Sequence, residues 1–391
     1  MAGLDSRLLQ RSSDSREATE RGGFAVVEAG TIAMGADSAV ESGRNRKAMI
    51  RVGVIGCGYW GPNLTRCFAE DAGSTVVAVS DMQAARLAPI AKRYPSIQTT
   101  VDADEVIENP QIDAIAIATP VSTHFDLALK ALRAGKHVLV EKPMTSSTVS
   151  SLCLIEEAAK RNLNLMVDHT FVYTGAVRKI HELIREGELG QPYYYDSVRV
   201  NLGLIQHDVD VIWDLAVHDI SILNYVLPVR ACAVSATGMS HVPGGKENIA
   251  YLTVFCEGNM IAHVHVNWLA PVKVRRTMIG GSKRMIVYDD VEPSEKVKVY
   301  DKGIALAPDS ENFIKMMINY RAGDVWIPKI DITEALRVEA AEFVASIVEG
   351  RPPLTDGIAG LRTVRILEMA SRSMKEQGKL IRVQDLEGGI A

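Results

Sequence analysis

After residue 48, short apolar runs of the chain alternate with amphipathic stretches. Residues 50–55 (IRVGVI) form the first run, and its β-branched side chains predict a buried strand of a parallel sheet. Runs of the same kind predict further strands at 75–80, 112–118, 137–140 and 163–167, with helical patterns between them. Strands and helices that alternate through short links are typical of a doubly wound parallel sheet, and we predict such a domain at 49–170.

The pattern changes after residue 170. Elements are then predicted at 176–186, 193–200 and 211–227, as several strands between 229 and 300, and as two helices at 332–349 and 358–376. We therefore predict an α/β fold whose second domain, residues 171–391, contains a large, open and mainly antiparallel sheet. Too few helices are predicted to cover both faces of this sheet, so we expect one face to make the contacts of a homodimer or homotetramer.

Three glycines directly follow the first predicted strand. Gly56 suits the tight turn from strand to helix, Gly58 lets the backbone approach a pyrophosphate, and Gly61 lets the helix lie close to the strand. Asp81 ends the second predicted strand about 20 residues later, where a carboxylate can accept hydrogen bonds from an adenosine ribose. This order predicts a Rossmann domain that binds a dinucleotide. The alternative is a glycine turn in an α/β domain that binds no nucleotide.

The charge of Asp81 favours NAD over NADP, because it would repel a 2′-phosphate. Arg86 lies too far along the next predicted helix to act as a phosphate clamp. Ligands bind at the carboxyl ends of parallel strands, and the sequence places further polar or turn residues there. These are Thr119, Pro120, Glu141, Lys142 and His169.

Composition and charge narrow the classes of function. The 391 residues are 47% hydrophobic and 23% charged, as in ordinary globular proteins, and the net charge of −5 indicates no basic surface for nucleic acid. The five cysteines are scattered and lack CxxC spacing, which is typical of reduced cytosolic thiols. No apolar run approaches the ~20 residues of a membrane helix. We expect a soluble, cytoplasmic protein without a nucleic-acid or membrane partner.

Residues 1–48 differ from the rest of the chain. Ser, Arg, Glu, Gly and Ala dominate this segment, and charges interrupt every apolar patch. We predict a disordered or non-core extension, whose deletion leaves activity and melting temperature nearly unchanged.

Lys142 is the first candidate for proton chemistry. It follows a predicted strand on the side where a nicotinamide ring is expected, and a lysine there can hold a substrate hydroxyl. A neighbouring cationic cofactor or partial burial would lower its pKa. The bond from Lys142 to Pro143 is of the kind that can be cis.

Asp214 and His218 are the second candidates. They are four residues apart on a predicted helix and so share one face, where the aspartate can orient an imidazole that takes the proton of a secondary alcohol. The alternative is an aspartate–histidine hydrogen bond that only packs the helix. A metal site that also uses His207 and Asp210 ranks below both, because the spacing matches no common metal template.

Polar residues also follow the strands of the second domain. His263, His265 and Asn267 alternate with apolar side chains along one strand, and a polar or interfacial sheet face is favoured there over a metal site. Candidates for substrate contact or for loop caps are Arg199, Asn201 and Gln206.

Four motifs together resemble a known family of nicotinamide-dependent sugar oxidoreductases, the glucose-fructose oxidoreductase, inositol dehydrogenase and MocA family. The motifs are VGVIGCGYWG at 52–61, ATPVSTH at 118–124, EKP at 141–143 and WDLAVHDI at 213–220, and the resemblance covers roughly 49–391. It implies that Lys142, Asp214 and His218 are catalytic. The cofactor contacts that it implies, together with the glycine and strand-end positions above, are Gly56, Gly58, Tyr59, Trp60, Gly61, Asp81, Thr119, Pro120, His124, Glu141, Lys142 and His169. The implied substrate contacts are Lys142, Tyr173, Arg199, Asn201, Asp214 and His218. No metal is implied.

Within that family, the segments VDHTFVY, YYYDSVRVNLG and WDLAVHDISILNYVL most resemble the nucleotide-sugar branch. The resemblance implies an NAD-dependent dehydrogenase that oxidises a secondary alcohol of a sugar, at C3 of a UDP-N-acetyl-hexosamine or its uronate, in surface-polysaccharide biosynthesis. His218 would take the hydroxyl proton, Asp214 would orient the imidazole, and Lys142 would polarise the oxygen. The alternatives are an inositol or other free-sugar dehydrogenase, and a regulator that binds NAD and sugar without turnover.

Overall fold

The computed structural model describes residues 49–203, 208–306 and 318–383. The predictions for residues 1–48, for Gln206 and for His207 lie outside these described residues. The elements of the first half are β1 Ile50–Ile55, α1 Gly61–Glu70, β2 Ser74–Ser80, α2 Ala84–Arg93, β3 Gln98–Thr100, α3 Ala103–Ile107, β4 Ala114–Ile117, α4 Val121–Arg133, β5 His137–Glu141, α5 Thr148–Arg161 and β6 Leu165–Asp168.

The remaining elements begin with α6 and include a π-helical turn, Ile212–Ala216, that runs directly into α7. Their bounds are α6 Gly175–Arg185, β7 Pro192–Leu202, α7 Val217–Val226, β8 Ala231–Met239, β9 Ile249–Cys256, β10 Met260–Asn267, β11 Leu269–Gly281, β12 Met285–Asp289, β13 Val297–Leu306, β14 Ile318–Trp326, α8 Ala335–Val348, α9 Gly357–Lys375 and β15 Ile381–Arg382.

The first sheet has the order β3-β2-β1-β4-β5-β6, and every pair within it is parallel. The side chains of its central strands are mostly apolar because helices cover both faces, and Val52, Val54 and Ile115 are fully buried. This confirms the predicted doubly wound sheet. The carboxyl ends of β1, β4, β5 and β6 consequently lie along one edge, which is where this architecture binds ligands.

The second sheet has the order β14-β13-β12-β11-β7-β10-β9-β8-β15. Only the central pair, β7 and β10, is parallel, so the predicted large and mainly antiparallel sheet is confirmed. Its buried face carries apolar side chains such as Val264 and Val266, whereas its open face exposes large ones. On that open face Tyr251 is 46% exposed, and Phe255 and Ile261 are also exposed.

The C-terminal helices return to the first domain. Phe343 of α8 contacts Phe68 of α1, with ring centroids 6.2 Å apart, and both rings belong to one buried cluster. Helix α9 follows Thr355, whose carbonyl oxygen accepts a hydrogen bond from the backbone N–H of Val167 in β6. Helices α8 and α9 therefore pack against the elements of the first sheet.

Among the residues that the structure describes, no helix is both long and apolar enough to cross a membrane.

Candidate functional site

The glycine turn after β1 has the shape of a dinucleotide cradle. A Cβ on Gly56 would lie 2.4 Å from the carbonyl oxygen of Ala118, and its φ of +98° is itself a conformation that favours glycine. A Cβ on Gly61 would lie 1.8 Å from the carbonyl oxygen of Gly56, so the fold itself requires both glycines. A Cβ on Gly58, in contrast, would meet nothing within 4 Å. The open space beside the start of α1 can accommodate a pyrophosphate that binds the backbone of this turn.

Two aromatic side chains of the same turn extend outward. Tyr59 is 81% exposed and Trp60 is 40% exposed, and their rings contact each other edge to face with centroids 5.1 Å apart. They flank the open space above Gly58, where the resemblance implies cofactor contacts.

Asp81 lies at the end of β2, as predicted, and is fixed by the backbone. Its carboxylate accepts hydrogen bonds from the N–H of Cys57 at 2.7 Å and from the N–H of Gln83 at 2.8 Å. The carboxylate is thereby held against the glycine turn. That Arg86 lies too far along the helix to act as a phosphate clamp stays a prediction. Its Nη1 lies 3.6 Å from an Asp81 oxygen, because this residue is in the first turn of α2 and its long side chain reaches back.

The end of β4 contributes Thr119 and Pro120 to the same edge. His124 in α4 is buried behind them, with Nδ1 2.9 Å from the carbonyl oxygen of Pro143 and Nε2 2.8 Å from that of Thr119. Burial lowers the pKa of His124. The neutral imidazole donates its one N–H to one of these two carbonyl oxygens, and both ring nitrogens lie against the backbone of the loops after β4 and β5.

Lys142, which follows β5 of the first sheet, forms an ion pair with Asp214 of the π-helical turn. Lys142 Nζ donates to the carbonyl oxygen of Asp214 at 3.0 Å and to its carboxylate Oδ1 at 3.3 Å. The other carboxylate oxygen accepts a hydrogen bond from Nε1 of Trp268 at 3.1 Å. The side chains of Lys142 and Asp214 are 16% and 23% exposed, so the pair is largely but not wholly shielded from water. The Lys142–Pro143 bond is cis.

His218 lies beside this pair but does not bond to Asp214 as the helical spacing predicted. The π-helical turn at 212–216 holds Asp214 while His218 sits in the α-helical part, so the two are not related by one regular α-turn. The buried Nδ1 of His218 has no hydrogen-bond partner in the described part of the chain. Burial, followed by the charges of Lys142 and Arg199, lowers the pKa of His218 well below its usual value.

A group of buried acids lies under the site. Glu141 and Asp168 are paired positions at the ends of β5 and β6, and Glu339 reaches them from α8. Burial and then the charge of Asp168 raise the pKa of both Glu141 and Glu339. His169, next to Asp168, is 2% exposed with no partner among the described residues for either ring nitrogen, and burial lowers its pKa to about 3.

The structure does not bring every predicted residue to the site edge. Tyr173 is 2% exposed within the core, and its hydroxyl lies 2.9 Å from Thr355 Oγ1, which leaves no side-chain surface for a substrate. Arg199 is also 2% exposed and faces Asp219. Asn201 remains at the end of β7, where its amide lies close to Gly203.

The histidines of β10 belong to the open sheet face. His263 lies 3.4 Å from Asp196, and the ring of His265 stacks on Tyr251 with centroids 4.4 Å apart. Within the described residues, no group of three or more His, Cys, Asp or Glu side chains is placed to hold a metal ion.

Sequence reasoning did not single out Phe171 and Trp268 as parts of the site. Trp268 lies between β10 and β11, and its hydrogen bond to Asp214 spans 54 residues of sequence. Phe171 follows β6 in a short 3₁₀ turn, Thr170–Tyr173, and its ring contacts that of His218. No local pattern predicts either contact. An aromatic residue near the end of each strand was the only available signal.

Two family models cover much of the chain. An oxidoreductase family with an NAD-binding Rossmann fold, GFO/IDH/MocA, matches residues 50–169, and the C-terminal domain of the same group matches residues 177–287. A UDP-N-acetylglucosamine 3-dehydrogenase from Acidithiobacillus ferrooxidans is 28% identical over 81% of this chain and 94% of its own length.

Its solved structure gives a TM-score of 0.70 at 26% identity, over 85% of this chain and 99% of that one. A myo-inositol 2-dehydrogenase from Thermotoga maritima is 22% identical over 87% of this chain and all of its own length.

Proposed function

The chain belongs to the GFO/IDH/MocA family of NAD-binding sugar oxidoreductases, and from this premise we propose that it oxidises the C3 hydroxyl of a UDP-N-acetyl-hexosamine or its uronate. The substrate class is supported by the similarity to a UDP-N-acetylglucosamine 3-dehydrogenase along most of both chains. It is also supported by the three sequence segments that resemble the nucleotide-sugar branch of the family. The proposed pathway is surface-polysaccharide biosynthesis.

One observation carries the chemical part of the proposal. A lysine from the first sheet and an aspartate from the helix of the second domain meet at 3.0–3.3 Å, with a partly buried, neutral histidine beside them. Removal of hydride from a secondary alcohol also requires removal of the hydroxyl proton. The neutral imidazole of His218, which is partly exposed, can take this proton, and Lys142 can donate a hydrogen bond to the oxygen as negative charge develops.

In this proposal Asp214 acts on Lys142 rather than on His218. Its carboxylate and its carbonyl oxygen both accept from Nζ, so they aim the ammonium group and balance its charge. Trp268 holds the second carboxylate oxygen and fixes the aspartate rotamer.

NAD supplies the hydride acceptor when it is bound. The open space at Gly58 would accommodate the pyrophosphate, and Asp81 would accept hydrogen bonds from the adenosine ribose. We infer a preference for NAD over NADP from the charge of Asp81, but Arg86 lies close enough to that carboxylate to weaken its repulsion of a 2′-phosphate.

The test is a substrate panel. Purified protein is incubated with NAD and, in separate reactions, UDP-N-acetylglucosamine, its uronate or myo-inositol, and NADH is followed at 340 nm. We expect turnover of a nucleotide sugar at least about tenfold faster than of myo-inositol. Faster turnover of inositol would indicate that the substrate is a free polyol. Absence of turnover together with tight NAD binding would favour a regulator.

His218→Asn tests the base in the same assay. We expect turnover to fall by ~10²–10⁴, because a positioned general base contributes that much, while the affinity for NAD changes little. Activity that survives the substitution would place the base elsewhere, with Lys142 as the next candidate.

We also propose that residues 49–170 and 171–391 are the two functional domains, with residues 1–48 outside them. The open face of the second sheet exposes Tyr251, Phe255 and Ile261, which supports a homo-oligomer joined through this face. The five cysteines are all free, which supports a cytoplasmic location.

A further inference from the structure

The ring of Phe171 lies at the centre of a stack beside the candidate base. The His218 imidazole contacts it edge to face, with centroids 4.8 Å apart and an interplanar angle of 62°. The guanidinium of Arg199 lies 4.4 Å from the centroid of the same ring, and that of Arg275 lies 5.5 Å away. Aromatic faces attract cations, so one apolar ring connects the histidine to two permanent positive charges.

Both guanidiniums are held firmly. Arg199 Nε donates to Asp219 Oδ2 at 2.7 Å and Nη2 donates to Oδ1 at 3.2 Å, and Ser197 Oγ donates to Oδ1 of the same carboxylate at 2.7 Å. Arg275 Nη1 donates to Asp290 Oδ2 at 3.1 Å. Asp219 directly follows His218 in the chain, so the Arg199–Asp219 pair also fixes the helix backbone next to the imidazole.

The charges around His218 come from several elements. Lys142 faces it from the end of β5, Arg199 from β7 and Arg275 from β11, and the neutral His169 lies beyond β6. On its own helix, Asp214 is bonded to Lys142 and Trp268, and Asp219 is bonded to Arg199. Each of these acids is bonded to a cation, and the charged groups with the largest effect on the imidazole are Lys142, Arg199 and Arg275.

We propose that Arg199 and Arg275 are positioning residues that act through Phe171 to hold the His218 imidazole in place and in its neutral form. The inference rests on the proposed role of His218 as the base. A neutral imidazole accepts the hydroxyl proton, whereas an imidazolium cannot. Burial alone disfavours the charged form, and two fixed cations beside the ring disfavour it further.

Arg275→Gln is the primary test because the Arg275 side chain is 29% exposed, whereas that of Arg199 is 3% exposed. Arg276→Gln is the matched control: it removes the same charge from the next residue of β11, whose side chain is 58% exposed. Arg275→Lys keeps the charge while it changes the shape. Arg199→Met is a supporting variant, since removal of this buried guanidinium endangers folding.

The direct readout is an NMR titration of histidine ring signals in protein labelled at its nine histidines, with His218→Asn used to assign the His218 signal. Removal of one nearby cation is expected to raise the pKa of His218 by about one unit, a tenfold change in proton affinity. We expect this rise in Arg275→Gln, no rise in Arg276→Gln, and a wild-type value in Arg275→Lys.

The kinetic readout uses NAD and a UDP-N-acetyl-hexosamine. The acidic limb of the kcat/KM profile should move upward by about one pH unit in Arg275→Gln only, because the base is then protonated at higher pH. Identical profiles and titrations for Arg275→Gln and Arg276→Gln would overturn the proposal. A raised KM without any change in the His218 titration would also overturn it, by showing that Arg275 contacts substrate.

The two readouts separate this inference from the proposed function. An upward shift of the His218 titration in a protein that turns over no nucleotide sugar would support the positioning role and refute the substrate. Turnover of the nucleotide sugar with an unchanged His218 titration would support the proposed substrate and refute the positioning role.

Discussion

Replacement of Trp268 by Phe removes one hydrogen-bond donor from the candidate site and changes little else. The indole Nε1 donates to Asp214 Oδ2 at 3.1 Å, and Trp268 is 1% exposed. A phenyl ring would retain most of the apolar contact in that position. Lys142 would remain on the other carboxylate oxygen, so the variant isolates the contribution of the indole N–H.

The expected magnitude follows from the burial of the partner. A hydrogen bond to a charged group contributes about 1.5–3 kcal/mol, and loss of the donor leaves the carboxylate oxygen without it. The Asp214 side chain is 23% exposed, so water can replace part of the interaction, and we expect the lower figure. The unfilled volume adds about 1 kcal/mol, and the free energy of unfolding should therefore fall by about 2.5 kcal/mol.

Catalysis should change as well. With Oδ2 released, the Asp214 carboxylate can rotate away from Lys142, and the ammonium group is no longer held at one position. A loss of about 1.4 kcal/mol of transition-state stabilisation corresponds to a tenfold lower kcat, and we expect a decrease of about that size.

Urea denaturation and steady-state kinetics measure the two effects. Trp213→Phe is the matched control, because its indole Nε1 also donates one hydrogen bond, to the neutral hydroxyl of Ser371 at 2.7 Å. The control should lose about 1 kcal/mol of stability from its neutral hydrogen bond and about 1 kcal/mol from the unfilled volume, and keep kcat within about twofold of wild type. Equal effects of the two substitutions on kcat would refute the argument that Trp268 positions Asp214.

Three further predictions follow from the geometry. Asp81→Ala should raise KM for NAD about tenfold and reduce the preference over NADP, because a carboxylate that accepts hydrogen bonds is lost; an unchanged NAD-to-NADP ratio in steady-state kinetics would contradict this. Burial lowers the pKa of His169 in the folded state to about 3, so protons bind the unfolded chain first and stability is lost as pH falls below about 6.5. The decrease in the free energy of unfolding between pH 7 and pH 5, measured in urea, should be about 2 kcal/mol smaller in His169→Gln than in wild type. Tyr251→Glu on the open sheet face should shift the sedimentation profile toward monomer, whereas Val291→Glu, at the same 46% exposure in a loop, should not; equal profiles would remove that face from the interface.

Local patterns in the sequence predicted much of the fold. The run at 50–55, the glycine spacing that follows it and the position of Asp81 each depend on neighbouring residues only, and the structure has all three as expected. Strand and helix periodicity also predicted both sheets. The short strand β3 was missed because three residues carry too weak a pattern, and the parallel pairing of β7 with β10 was missed because periodicity does not encode strand order.

The candidate site needed the tertiary structure. Motifs in the sequence selected Lys142, Asp214 and His218 as candidates. The helical spacing paired the aspartate with His218, whereas the structure bonds it to Lys142, since regular α-helical spacing does not anticipate a π-helical turn. Lys142 and Asp214 are 72 residues apart, and only the docking of the second domain on the edge of the first sheet brings them together. The same docking partly buries His218 and places cations around it. A side chain's type is fixed by the sequence, but its charge state and its partner depend on groups that long-range packing places around it.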